Sequence, residues 1–166
     1  MKQNAKRILG YLGYLLYVLR HKKLVGELCW REGLYLRALT HDWSKLLPNE
    51  FGPYSRYWAC GGWTASVNCP ETVRRDFREA SRRHKRRHWH HAEHWVMSDG
   101  KNKERVMDMD RESIIEMICD WESLLLSGAR ESGARQFYRN KGRDMRLSKK
   151  TRETLERLLG EMDLCD

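Results

Sequence analysis

Apolar residues recur every three or four positions through most of the chain, the period of an amphipathic helix. On that spacing, helices are predicted over 4–20, 22–33, 34–46 and 71–97, and two or three more over 110–127, 131–141 and 148–162. Gly33 is a natural break between the second and third, and Ser148 is a natural N-cap for the last. No segment keeps the β-branched alternation of a half-buried strand, and the many Leu, Glu, Lys, Arg and Met residues favour helix. The fold class predicted is all-α, a single-domain bundle of about six helices. All three prolines fall between Leu47 and Glu71, together with Tyr54, Tyr57, Trp58 and Trp63, so this stretch is expected as an irregular aromatic loop. The polar run from Ser98 to Asp110 is expected as a connection.

A length of 166 residues suits one domain over 1–166, long enough to bury a core unaided. The basic start and the apolar stretch Ile8 to Leu19 have the outline of a signal peptide without its small-residue cleavage site. The stretch is also short of the roughly 20 apolar residues a membrane span needs. A buried first helix and no membrane association are therefore expected. The cysteines Cys29, Cys60, Cys69, Cys119 and Cys165 are odd in number and never in a C-x-x-C pair. That pattern indicates neither a disulfide framework nor a thiolate zinc site and points to a reducing cytoplasm. A formal charge of +9 draws anions, whether nucleic acid, a lipid surface or a phosphorylated small molecule.

Chemistry concentrates at "RALTHDWSKLLPNEF", where His41 and Asp42 are adjacent and Lys45 follows within a turn. In "ESIIEMICDWESLLL", Ile114, Ile115, Ile118 and Leu125 form an apolar stripe, and Asp120 borders it. A lone carboxylate there is expensive to desolvate without a cation or donors. His21, the His41–Asp42 pair and Asp120 lie on different predicted helices and supply two imidazoles and two carboxylates. Borderline divalent metals accept such a mixed set.

His21, His41–Asp42, Lys45 and Asp120, in that order on an all-helical chain, resemble the HD-domain metal-dependent phosphohydrolases. The stretch "HKKLVGELCWREGLYLRALTHDWSK" is similar to the first-metal half of that family. A closer resemblance, covering about 8–160, is to a small HD-like family of phage and bacterial proteins of unknown function. It rests on "HDWSKLLPNEFGPYSRYW", "RRHKRRHWHHAEHW", "MICDWES" and "FYRNKGRDMRLSKKTRETLERLL". The resemblance implies an HD-like fold with one divalent ion, Mn, Co, Fe, Ni, Zn or Mg, held by His21, His41, Asp42 and Asp120. In the histidine-rich segment it implies that His84, His90 and His91 hold a second metal or contact phosphate, while His88 and His94 face solvent.

The expected activity is hydrolysis of a nucleotide or another small phosphorylated metabolite by metal-activated water. Lys45, with Arg56 or an arginine of the 82–87 run such as Arg83 or Arg87, would neutralise the transferring phosphoryl group. Tyr54 and Tyr57 are candidates to stack on a base, as are Trp58 and Trp63. Neither G-x-x-x-x-G-K-[ST] nor G-x-G-x-x-G occurs, which argues against a P-loop or dinucleotide enzyme. Two other readings fit: a basic nucleic-acid binder, and a degenerate HD module that sequesters a nucleotide without turnover.

Overall fold

The computed structural model describes residues 2–61, 69–98 and 104–165, with the side chains of the first helix from Ile8 onward. Trp63, expected as a stacking residue, lies outside the described residues. The protein is all-α: α1 (Lys2–Arg31), α2 (Tyr35–Thr40), α3 (Pro48–Trp58), α4 (Glu71–Arg87), α5 (Arg111–Leu126), α6 (Ala134–Lys141) and α7 (Lys149–Glu161). Among the described residues one antiparallel strand pair interrupts the helices. Its strands β1 (Val96–Ser98) and β2 (Glu104–Val106) pair Val96 with Val106 and Ser98 with Glu104. No helix among the described residues is long and apolar enough to cross a membrane.

The first two expected helices are one, α1. Its end is set by Gly33 at φ 76°, with Leu34 N–H donating to Cys29 C=O at 2.9 Å and Gly33 N–H to Trp30 C=O at 3.1 Å. That is the left-handed glycine closure of a helix, where a side chain would be strained. The expected aromatic loop instead contains α3. Pro48 occupies its first turn, where a missing N–H costs nothing, and Phe51 N–H donates to Leu47 C=O at 2.7 Å. Pro53 inside the helix removes one bond, which burial of Tyr54 and Tyr57 offsets. The fourth expected helix is shorter than predicted: α4 stops at Arg87, and a 3-10 turn at Ala92–Trp95 leads into the strand pair. On an unbroken helix His84, His88 and His91 would share one face and His90 and His94 another, and the end of α4 at Arg87 removes both faces.

The chain forms two compact units, each assembled from two separate stretches: residues 1–20 with 42–84, and residues 21–41 with 85–166. The core of the first unit is Tyr14 and Val18 of α1, Tyr54 of α3 and Ala80 of α4, flanked by Phe51, Trp58 and Phe77. It is aromatic: Tyr14 packs on Tyr54 at 5.8 Å, and Tyr57 stacks on Phe77 at 4.2 Å. Cys60 and Cys69 are joined by a disulfide with Cα atoms 5.4 Å apart, correcting the expectation that no cysteines pair. Their separation of 9 residues carries no recognisable signature.

The second unit is organised around α5. Ile114, Ile115 and Ile118 are fully buried with Val25 of α1 and Leu155 and Leu158 of α7. Each such side chain contributes about 1.5–3 kcal/mol of transfer free energy. This gain lets α5 also carry buried acidic groups. Asp110 caps α5 by accepting from Ser113 N–H at 2.9 Å, and Ser148 caps α7 by accepting from Thr151 N–H at 3.1 Å, as predicted.

Candidate metal centre

One face of α5 carries a polar line through an otherwise apolar helix. Glu116, Asp120 and Ser123 stand at i, i+4 and i+7 and so project from the same side. Glu116 and Ser123 are buried, and the Asp120 side chain is 15% exposed. His21 of α1 and His41, just after α2, are both buried against this line. Lys22 fixes the second of them in place, since its Nζ donates to the carbonyls of Leu39 at 3.1 Å and His41 at 2.6 Å.

The hydrogen bonds assign the imidazole protons. Ser123 Oγ donates to Asp120 C=O at 2.8 Å, so it accepts from Nδ1–H of His21 at 2.9 Å. Glu116 Oε1 accepts from Nδ1–H of His41 at 2.8 Å. Both rings then present an Nε2 lone pair, and these nitrogens face each other at 3.4 Å. Asp120 Oδ1 lies 3.2 Å from His21 Nε2. Nitrogens bound at roughly 2.0–2.1 Å to one tetrahedral ion stand about 3.3–3.4 Å apart, so the spacing fits a shared divalent cation. The donor atoms of His21, His41 and Asp120 all lie within 4.8 Å of one another, as do those of His41, His90 and Glu116.

The electrostatics favour anionic carboxylates here. Burial raises the Asp120 pKa, but where the imidazoles are protonated the hydrogen bond from His21 and the charges of His21, His41 and His90 outweigh it and hold the group below the usual carboxylate range. For Glu116, burial is again opposed, by hydrogen bonds from His41 and His90, and the carboxyl stays ionised. Glu116 Oε1 also lies 3.2 Å from His90 Nδ1, and its Oε2 accepts from Arg37 at 2.9 Å. One carboxylate thus orients two imidazoles while a guanidinium anchors it, the outer partner that metal-binding histidines commonly have. Sequence reasoning missed Glu116. Its signal was the E-x-x-x-D-x-x-S period along the α5 stripe.

Asp42 belongs to the other unit. Its backbone is left-handed, φ 49° and ψ 21°, directly after an extended His41 at φ −50° and ψ 128°. Asp is among the few residues that tolerate this conformation, at a cost of roughly 1–2 kcal/mol. Asp42, 1% exposed, receives Lys45 Nζ on Oδ2 and has His84 Nε2 3.0 Å from Oδ1. His84 Nδ1 lies 2.9 Å from Glu50 Oε2, which also accepts from Ser44 at 2.9 Å. This carboxylate–imidazole–carboxylate chain is buried throughout.

Of the residues singled out in the sequence, His21, His41 and Asp120 come together in one unit, and Asp42, Lys45 and His84 in the other. His90 is buried on Glu116 beside the half-buried His91, with ring centroids 4.2 Å apart, and His88 and His94 are half-buried. Arg56 is 40% exposed and pairs with Asp76 at 3.3 Å, so its charge is already compensated. Arg83 pairs with Glu79 on the exposed side of α4, where Arg87 is also exposed. The base-stacking role expected of Tyr54 and Tyr57 meets rings already buried in the aromatic core.

Glu116→Gln keeps the shape of the side chain but removes the charge that accepts from two imidazoles. It is expected to weaken divalent-metal binding about 10- to 100-fold with unchanged helix content. Competition with a chelator of known affinity measures this, and wild-type affinity would show that Glu116 does not orient the ligands.

These observations define an all-α protein with buried histidine–carboxylate clusters able to hold a metal ion. Residues 10–161 match a family of unknown function (DUF5662), and the chain belongs to that family. No curated protein matches the chain. No solved structure matches it either.

Proposed function

We propose that the protein is a metal-dependent phosphohydrolase related to the HD-domain enzymes, acting on a nucleotide or another small phosphorylated metabolite. The observation that carries the reading is the facing Nε2 pair of His21 and His41 at 3.4 Å, with Asp120 beside it and both Nδ1 protons held elsewhere. A divalent ion at such a site supplies Lewis acidity toward a phosphoryl oxygen and makes hydroxide accessible near neutral pH. The chain's residues do the rest. Ser123 and Glu116 hold the two imidazoles in the tautomer that offers Nε2. Asp120 remains anionic and offsets the ion's charge. Lys45 brings a cation to Asp42, and the net charge of +9 draws anionic substrates.

The test is metal content of the purified protein, followed by phosphate release from nucleotides and phosphomonoesters with Mn, Co or Mg. Metal-dependent release that disappears in His41→Ala supports the reading. A fully loaded protein that cleaves none of them but binds one tightly is instead a sequestering module. Polynucleotide binding that needs no metal and weakens linearly with log salt would identify a nucleic-acid binder.

A further inference from the structure

The first turns of α1 distribute their side chains in an unusual way. The aromatic Tyr14 and the small Val18 face the core of their unit, while the large aliphatic residues face outward. Ile8 is 57% exposed, Leu9 68%, Leu12 52%, Leu16 68% and Leu19 48%. Leu9, Leu12, Leu16 and Leu19 are spaced three, four and three residues apart. That is the a/d repeat of a coiled-coil seam, narrower than the apolar face of a helix lying on a larger core. Residues 8–19 contain no charged side chain. A scattered exposed leucine needs no explanation, but an uninterrupted seam of them is costly to leave in water.

We propose that this seam is the interface of a homodimer, in which the Leu9–Leu19 face of α1 packs against the same face of a second copy. The a/d spacing calls for another helix with matching knobs and holes, and an identical copy provides one by two-fold symmetry. Because the seam is uncharged, two chains of charge +9 meet there without placing like charges in contact. The area is adequate. Five aliphatic side chains exposed to this degree offer roughly 600 Å² per copy, on the order of 1,200 Å² for the pair, which reaches the lower bound of specific interfaces. An interface at that lower bound belongs with the weak, transient contacts, for which dissociation on the order of micromolar is expected.

Sedimentation equilibrium of the full chain between about 1 and 100 μM tests this, alongside the double variant Leu12→Glu, Leu16→Glu. The wild type is expected to dimerise, and the variant to dissociate at least about 100-fold more readily. The melting temperature of the variant should hold at concentrations where the wild type is monomeric, because neither leucine contributes to the core. A wild type that stays monomeric throughout, or a variant that dimerises equally well, overturns the proposal. So does a monomer whose seam is needed for binding phosphatidylglycerol vesicles, since the face then serves a lipid surface. The readout involves neither metal nor turnover, so it stands or falls apart from the proposed activity.

Discussion

His41→Ala is expected to lower affinity for a divalent ion by at least about 100-fold while helix content is preserved. The side chain offers one of two facing Nε2 atoms, and removing it leaves His21 and Asp120 as a two-donor fragment. The fold should tolerate the loss because His41 belongs to the polar line and not to the apolar cluster around α5. Glu116, deprived of His41, keeps Arg37 at 2.9 Å and His90 at 3.2 Å, so its buried charge is still compensated. The remaining cost is a hydrogen bond and some packing, about 1–2 kcal/mol. Isothermal titration with Mn or Zn and circular dichroism together separate site from scaffold. Metal binding equal to wild type would remove His41 from the centre and leave it an ordinary buried histidine.

What could be read in the sequence divides along physical lines. Helices α5 and α7 were legible, the first from its periodic apolar stripe and the second from Ser148 as its N-cap. Of the ordered ligand set His21, His41, Asp42 and Asp120 read from the sequence, the donor atoms of His21, His41 and Asp120 lie within 4.8 Å of one another. Helix α3 was not legible, because Pro48 and Pro53 read as breakers. Only the surrounding aromatic packing shows that one lies in the harmless first turn and the other is outweighed. The histidine segment failed differently. Continuing the helix past Arg87 placed His84, His88 and His91 on one face and His90 and His94 on another, whereas the chain leaves the helix there and His90 is held by Glu116 on another element. Local periodicity carries no information about such a distant partner. The division of labour at His41–Asp42 was hidden for a similar reason. A dipeptide lists two ligands, but the left-handed backbone at Asp42 determines that its carboxylate meets Lys45 and His84.

That second cluster makes a prediction of its own, in metal-free protein. Lys45→Ala is expected to destabilise the fold by about 3 kcal/mol near pH 9, at the low end of the cost of breaking a buried ion pair because Lys45 itself is 17% exposed. The Asp42 carboxylate, 1% exposed, would keep His84 as a cationic neighbour. Burial lowers the His84 pKa, but the Asp42 charge and the hydrogen bonds to Asp42 and Glu50 outweigh it and raise the pKa above 6.5. A folded-state value above the unfolded one means that His84 contributes stability fully present below about pH 6.5 and lost as pH rises through the folded value. Lys45 opposes this shift, so its removal raises the His84 pKa further and deepens the dependence. The deficit of the variant relative to wild type should therefore be small near pH 5.5 and grow toward pH 9, where neutral His84 no longer offsets the buried carboxylate. Urea denaturation with chelator present, repeated across that range, reads the difference directly. A constant deficit at every pH would mean that His84 does not carry the charge that Asp42 needs.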